Sequence, residues 1–239
     1  MAHAKIFIMA TTLQQPTIPS APQSLSDEQL AQFQENGYLA FTDLLSAAET
    51  EAARDAMTDL IHNIVIGENS GVFHGPTPEN PKLQPFYQRH EEAFFIQLER
   101  GFEPERKNVE EIELGVRKLH AFGTAHPFSE QLHGSHPRRK GYMETQNGAA
   151  AIRFQDMALI KPPFIGSEKP WHQDNAYFSV TPLNSIVGVW IALDDAKAEN
   201  GCMHVIPGGH ELGAMRHHHT SDCEIMPNRL DTSGAVPVA

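Results

Sequence analysis

Residues 186–210 decide the fold and read IVGVWIALDDAKAENGCMHVIPGGH. The first part, 186–193, is rich in β-branched and aromatic residues, which is typical of a strand. A polar turn follows, and a Pro-Gly-Gly turn closes the stretch. The same composition predicts further strands at 149–154, 157–160, 176–180 and 204–206. The last residues, 235–239, resemble the beginning of another strand. Short strands at this spacing favour a β-sandwich or jelly roll.

Helical patterns dominate the part of the chain before these strands. Ser26 or Ser24 can cap a helix that Gly37 ends, and a short strand at 38–41 follows it. Further helical patterns fall at 47–66, 91–98 and 109–122, whereas Gly and Pro make 67–89 a loop by composition.

The order of these patterns predicts one domain over residues 25–239. It has a helical layer over 25–148 and a jelly-roll core over 149–239, so the fold is mainly β with N-terminal helices. Residues 1–24, rich in Pro and Gln toward their end, predict a disordered leader because they offer little apolar surface to bury.

Composition excludes several classes of function. Lys and Arg number 18 and Asp and Glu number 30, for a net charge of −12. This balance argues against binding to nucleic acid or to an anionic membrane surface, both of which need basic patches. Two cysteines do not make a disulfide framework, and no apolar run approaches the ~20 residues of a membrane span. We therefore expect a soluble, acidic, cytoplasmic protein.

The local motif that most clearly indicates a functional site is His172-Gln173-Asp174, because it contains two potential metal ligands. If this segment is extended, His172 and Asp174 face the same cavity, because alternate residues of a strand share a side. An imidazole and a carboxylate are two of the three ligands in the facial triad that holds ferrous iron. The motif alone is weak, since a surface His–Asp hydrogen bond is the common alternative.

Four stretches together carry a family resemblance. They are LSDEQLAQFQENGYLAFTDLLS (25–46), FQDMALIKPP (154–163), WHQDNAYF (171–178) and the stretch at 186–210. In this order and spacing the sequence resembles the phytanoyl-CoA dioxygenase family of iron(II)- and 2-oxoglutarate-dependent oxygenases. The resemblance implies a double-stranded β-helix, a jelly roll of the cupin type. It also implies that the chain hydroxylates a small organic substrate with O2 and releases succinate and CO2.

The resemblance also implies roles for individual residues. His172 and Asp174 match the first two iron ligands and are the expected catalytic residues. Four others match positions that contact or border the 2-oxoglutarate cosubstrate, namely Lys118, Met157, Gln173 and Trp190. Lys118 offers a point charge for the far carboxylate of that cosubstrate.

The expected third ligand has no match before the chain ends. In the family a second His, a Ser and an Arg lie on later strands, so the chain is expected to lack its last two strands. His210 and the 217–219 cluster are the substitutes to consider. The simpler roles are a turn histidine that is not a ligand for His210, as in the family, and a solvated or site-covering loop for the cluster. The alternative functions are an inactive fragment or degenerate ligand-binding protein of the same fold, and a metal-independent module that binds sugars.

Overall fold

The computed structural model describes residues 5–10, 18–68, 70–73, 86–89, 94–134, 136–138, 141–143, 152–178, 180–182, 185–219, 223–226 and 229–238. The chain divides into two compact units. The first unit contains Met1–Thr50, Pro137–Ala151 and Lys169–Ala239, and the second contains Glu51–His136 and Ile152–Glu168. Within the described residues the structure is mostly sheet with a few helices, as the sequence predicts. Closure of the strands into a double-stranded β-helix stays a prediction, as does the single domain over 25–239.

Helix α1, Asp27–Asn36, confirms the predicted first helix of the first unit. Ser26 caps its start, because its hydroxyl accepts from the Gln29 backbone N–H while the Gln29 side chain accepts from the Ser26 N–H. Gly37 ends the helix with φ of +78°, a left-handed conformation that glycine adopts without strain. Strand β2, Tyr38–Phe41, follows directly, also as predicted.

The β2 strand packs against a buried aromatic side chain. Phe41 is 1% exposed and Tyr142 is fully buried, and their ring centroids lie 5.7 Å apart. The Tyr142 hydroxyl donates a hydrogen bond to the Pro22 carbonyl oxygen. Burial raises the pKa of Tyr142 to about 12, although the nearby Arg138 acts in the opposite direction.

Three strands of the first unit form a parallel sheet in the order β2, β1, β8. Strand β1 is Lys5–Ala10 and strand β8 is Val187–Ala192, and every pairing in the sheet is parallel. The prediction of a disordered leader over 1–24 therefore does not hold for residues 5–10. Its apolar run Ile6 to Met9 has high β propensity, while the composition argument rested on the Pro and Gln that follow.

The remaining strands of the first unit form two antiparallel pairs. Strand β9, Met203–Val205, pairs with β12, Val236–Val238, which confirms the strands predicted near 204–206 and at the chain end. Strand β10, His217–His219, pairs with β11, Cys223–Ile225, where we expected a polar loop. The strand predicted over 176–180 is absent from the described residues there, and a 3-10 turn, Asp174–Ala176, extends to the first residue of that range.

The second unit is a five-stranded antiparallel sheet with helices. Helix α2, Ala47–Ile66, begins in the first unit and continues into the second. It confirms the helix predicted over 47–66. The strand order is β3, β4, β5, β6, β7, and every neighbouring pair is antiparallel. The strands are β3 Ser70–Phe73, β4 Phe86–Arg89, β5 Phe95–Leu98, β6 Val116–His120 and β7 Met157–Leu159. Helices α3 and α4 cover Val109–Leu114 and Pro127–Gly134.

Several predictions in this region were wrong. Residues 95–98 are a strand and not part of a helix, because Phe94, Ile96 and Leu98 alternate into the core and are at most 2% exposed. The helix predicted over 109–122 ends at Leu114, and β6 follows. The predicted loop at 67–89 contains β3 and β4, and the described end of the 149–154 run has no strand. Strand β7 confirms the strand predicted at 157–160.

One hydrophobic core organises the second unit. Side chains from α2, β5 and β6 meet in it, among them Ile64, Ile96, Leu98, Val116 and Leu119, each fully buried. The core lies on one face of the sheet, because cross-strand partners such as Ile96 and Leu119 point to the same side. In the described part of the chain, no helix is long and apolar enough to cross a membrane.

Candidate functional site

His172 and Asp174 lie on the same side of the backbone in the first unit. Gln173 between them is extended (φ −105°, ψ 132°), so the side chains that flank it point in one direction. His172 Nε2 lies 3.4 Å from Asp174 Oδ1, and both side chains are half-buried. One extended residue followed by a 3-10 turn therefore suffices to bring the pair together, without a continuous strand.

The orientation of the His172 ring is fixed by the backbone. Its Nδ1 lies 2.8 Å from the Pro170 carbonyl oxygen, to which it donates a hydrogen bond. The other nitrogen, Nε2, consequently faces Asp174. The Tyr177 ring meets the imidazole edge-on, with centroids 5.4 Å apart. Metal-binding histidines are commonly oriented in this way, with one ring N–H bound to a carbonyl and the second nitrogen free to act as ligand.

Two opposing effects act on the charge of His172. Burial lowers the pKa of the imidazole, while hydrogen bonds to Asp174 and to the Pro170 carbonyl raise it. The hydrogen bonds outweigh burial, and the pKa lies above its ordinary value. The Asp174 carboxylate is one cause of the raised pKa, and its negative charge would also attract a metal cation.

Of the candidate substitutes for a third ligand, His210 and His217 form hydrogen bonds with the backbone. His210 is buried, and its Nε2 lies 2.9 Å from the Gln34 carbonyl oxygen at the end of α1. His217 Nε2 lies 2.9 Å from the Gln173 backbone nitrogen, and Nδ1 lies 2.9 Å from the Met215 carbonyl oxygen. No group of three His, Cys, Asp or Glu side chains that could hold a metal occurs among the residues that the structure describes.

Gln173, expected near the cosubstrate, has a carboxamide that contacts the backbone of residues 213–215. Its Nε2 donates to the Gly213 carbonyl oxygen and its Oε1 accepts from the Met215 N–H, both at 2.9 Å. Trp190 lies in the middle of β8 and is half-buried. The contacts of Gln173 and Trp190 with a cosubstrate stay predictions.

Lys118 and Met157 lie in the second unit and share one face of its sheet. Lys118 on β6 is opposite Leu159 on β7, and His120 is opposite Met157. Residues two apart on a strand share a face, as do cross-strand partners, so these four side chains point to the same side. That face is opposite to the hydrophobic core, because Leu119 points into the core. Lys118 is 6% exposed, whereas Met157 is 42% exposed.

The same face carries polar and aromatic side chains that the sequence analysis missed. Gln97 of β5 is opposite Lys118, and Phe95 is opposite His120. The Phe95 and His120 rings are stacked, with centroids 4.6 Å apart and an angle of 10° between their planes. The sequence did not indicate this face, because the apolar residues around 94–98 fit helical spacing and the register of β5 against β6 was therefore not predicted.

A buried ion pair lies next to Lys118 along β6. Arg117 Nη1 lies 3.2 Å from Glu99 Oε1, and both side chains are 3% exposed. The Ser167 hydroxyl donates to Glu99 Oε2 at 2.7 Å and contacts the same guanidinium. The Arg117 carbonyl accepts from the Ile160 N–H at 2.8 Å. These bonds fix β6, and with it the backbone that carries Lys118, to the segment after β7.

The structure thus combines a mainly β fold with an imidazole and a carboxylate two residues apart. The model of the phytanoyl-CoA dioxygenase (PhyH) family matches residues 33–239, and the chain belongs to this family. This membership supports oxygenase activity at the level of the family.

Curated proteins with names of this family cover most of the chain. It is 30% identical over 198 residues to phytanoyl-CoA dioxygenase domain-containing protein 1 of Danio rerio, covering 80% of this chain and 68% of that protein. It is 32% identical over 195 residues to phytanoyl-CoA dioxygenase 1 of Oryza sativa subsp. japonica, covering 81% and 68%. Phytanoyl-CoA dioxygenase of Arabidopsis thaliana is 28% identical over 194 residues, with coverage of 81% and 68%.

Proposed function

We propose that the chain is an iron(II)- and 2-oxoglutarate-dependent dioxygenase that hydroxylates a small organic substrate. Family membership supports the reaction class. The observation that carries the proposal is the His172–Asp174 pair, with Nε2 and Oδ1 3.4 Å apart and the ring oriented by Pro170. The net charge of −12 is consistent with a small-molecule substrate and argues against nucleic acid.

The donor set fits two positions of a ferrous iron site. His172 would bind through Nε2 and Asp174 through its carboxylate, both of which are ligand types that non-haem iron uses. When bound, iron and 2-oxoglutarate would supply the chemistry that uses O2 as oxidant, with one oxygen atom entering the substrate C–H bond as C–OH and the other entering the succinate formed, with CO2, from 2-oxoglutarate. The protein would hold His172 and Asp174 in place as ligands, exclude water and orient the substrate. The Pro170 carbonyl contributes to the placement of His172 by accepting a hydrogen bond from the imidazole ring.

The cosubstrate roles of four further residues belong to the same proposal. Lys118 supplies a positive charge to the far carboxylate of 2-oxoglutarate, and its burial strengthens that interaction. Met157, which shares the sheet face of Lys118, would give the cosubstrate an apolar contact. Trp190, in the middle of β8, would give another. Gln173, between the two ligands, borders the cosubstrate and holds the neighbouring backbone.

An anaerobic titration with ferrous iron and 2-oxoglutarate tests this function. We expect a visible iron-to-2-oxoglutarate charge-transfer band that saturates near one iron per chain. The band should disappear in His172→Ala and Asp174→Ala and remain in His204→Ala, which changes an exposed histidine on β9 of the same unit. Succinate formation should follow the same pattern under O2.

The opposite result is equally clear. A folded protein, checked by circular dichroism, that gives no band would contradict iron-dependent catalysis. It would favour a ligand-binding protein of the same fold. Turnover of 2-oxoglutarate that survives His172→Ala would show that the metal lies elsewhere.

A further inference from the structure

The residue between the two proposed ligands uses all of its polar groups to bind protein. Gln173 donates through its backbone N–H to His217 Nε2 and through its side-chain Nε2 to the Gly213 carbonyl, each at 2.9 Å. Its Oε1 accepts from the Met215 N–H, and its backbone carbonyl accepts from the Ala176 N–H, also at 2.9 Å. Three of these four bonds reach the single segment 213–217.

The hydrogen bonds of His217 fix its tautomer. A backbone N–H can only donate, so Nε2 of His217 must be the unprotonated, accepting nitrogen. The proton of the neutral ring is then on Nδ1, which donates to the Met215 carbonyl oxygen at 2.9 Å. The Nε2 lone pair is therefore directed at the Gln173 N–H, and it is not directed at a metal.

A backbone bond joins the other side of the motif to β11, the strand that pairs with β10. The Ile225 N–H donates to the Trp171 carbonyl oxygen at 2.8 Å. The peptide groups on both sides of His172 are thus held, one by Ile225 and one by His217. These bonds hold the backbone on both sides of His172 in the conformation in which His172 and Asp174 face the same side.

We propose that Gln173 and His217 are positioning residues that hold the His172–Asp174 pair in its metal-binding geometry through the segment 213–217. His217 is then an outer-shell acceptor and no ligand, and the carboxamide of Gln173 acts on the backbone. Outer-shell partners of this kind typically change metal affinity by about 10- to 100-fold when they are removed. The metal-binding part of this proposal rests on the proposed function, whereas the hydrogen-bond geometry does not.

Variants at position 217 separate positioning from ligation. In His217→Gln the carboxamide oxygen can accept from the Gln173 N–H in place of Nε2, whereas His217→Leu has no acceptor. His218→Leu is the matched control, because His218 is the exposed neighbour on β10. With Co²⁺ as an absorbing substitute for iron, we expect wild-type affinity within about threefold for His217→Gln and His218→Leu. A loss of about 10- to 100-fold is expected for His217→Leu.

The hydrogen bonds of Gln173 and His217 can also be tested in the metal-free protein. Long-range ¹H–¹⁵N spectra of the wild-type apoprotein should show His217 as the Nδ1–H tautomer, assigned by its absence in His217→Gln. Amide exchange at Gln173 should be slow in the wild type and in His217→Gln, and faster in His217→Leu. Exchange at Met215 should be faster in Gln173→Leu, which lacks the accepting Oε1.

The outcomes test the positioning role of Gln173 and His217 separately from the proposed iron chemistry. If His217→Gln loses Co²⁺ as completely as His172→Gln, His217 is a ligand and the positioning role is overturned. An Nε2–H tautomer, or unprotected Gln173 and Met215 amides, would overturn it as well. If the tautomer and the protected amides are present but no metal binds, the positioning contacts stand and the proposed iron chemistry fails.

Discussion

Gly37→Ala is expected to lower the free energy of unfolding by about 2–5 kcal/mol, from two separate costs. An alanine at φ of +78° lies in the left-handed region, which costs about 1–2 kcal/mol. Its Cβ would also lie 2.3 Å from Nδ1 and 2.8 Å from Cγ of His210. Overpacking of this kind costs about 1–3 kcal/mol.

The second cost applies because the His210 ring has little room to retreat. It is 7% exposed, and its Nε2 is held by the Gln34 carbonyl at 2.9 Å. The sum of the two costs is a large share of the about 5–15 kcal/mol that stabilises a typical domain. Urea denaturation followed by circular dichroism measures it directly.

Two control variants isolate the two costs. Gly208→Ala has the same backbone strain, with φ of +72°, but nothing lies within 4 Å of the added Cβ, so only the first cost of about 1–2 kcal/mol is expected. Gly37→Ala made in a His210→Ala background should also show the first cost alone. The reasoning is refuted if Gly37→Ala costs no more than Gly208→Ala, or if removal of the His210 ring leaves its cost unchanged.

Three further predictions concern charge and cosubstrate. Glu99→Gln leaves the buried Arg117 without its counter-charge and should lower the free energy of unfolding by about 3–5 kcal/mol. Ser167→Ala, which removes one hydrogen bond to Glu99, should cost only about 1 kcal/mol, and equal urea midpoints for the two variants would contradict this account. Because the folded pKa of Tyr142 is raised to about 12, its neutral phenol contributes stability that is complete below pH of about 10 and is lost as the pH rises toward 12. An alkaline titration of tyrosinate absorbance should therefore lose one late-ionising phenol in Tyr142→Phe, and identical titration curves would speak against the buried phenol. Lys118→Met should weaken 2-oxoglutarate binding by about 10- to 100-fold, the value of one charge-assisted hydrogen bond, with iron affinity unchanged. Calorimetry with each ligand in turn checks this, and an unaltered 2-oxoglutarate affinity would remove Lys118 from the site.

The elements that sequence predicts well are those whose signals are local. The capping residues of α1 lie three positions apart, and Gly37 directly follows its last turn. Both ends of the helix can therefore be predicted from one short segment of sequence. Strand β8 is a run of β-branched and aromatic residues long enough to exclude a loop. The His172–Asp174 pair is also local, because one extended residue brings its two side chains together.

The elements that sequence fails to predict depend on distant partners. Around β5, Phe94, Phe95 and Leu98 fit helical spacing, while Phe94, Ile96 and Leu98 fit strand spacing. Only pairing with β4 and β6 decides between the two. Strand β1 needs two parallel neighbours from remote parts of the chain.

The site shows the same division between local and distant partners. Gln173 and Gly213 are 40 positions apart in the chain, so nothing near the motif indicates how its carboxamide is used. Gln97 and Phe95 could be connected with Lys118 only once the register of β5 was known.

The contact between His210 and the end of α1 also bears on how the chain folds as it is made. Its partners, Gln34 and His210, are 176 positions apart. At about 5–20 residues per second, a ribosome would add the second partner about 9–35 s after the first. Through that interval α1 has no contact with His210, and only bonds from nearby residues, such as the reciprocal bonds between Ser26 and Gln29, can favour its helical conformation. In a nascent chain stalled before residue 210, the surface around Gly37 that His210 later contacts would therefore still be uncovered.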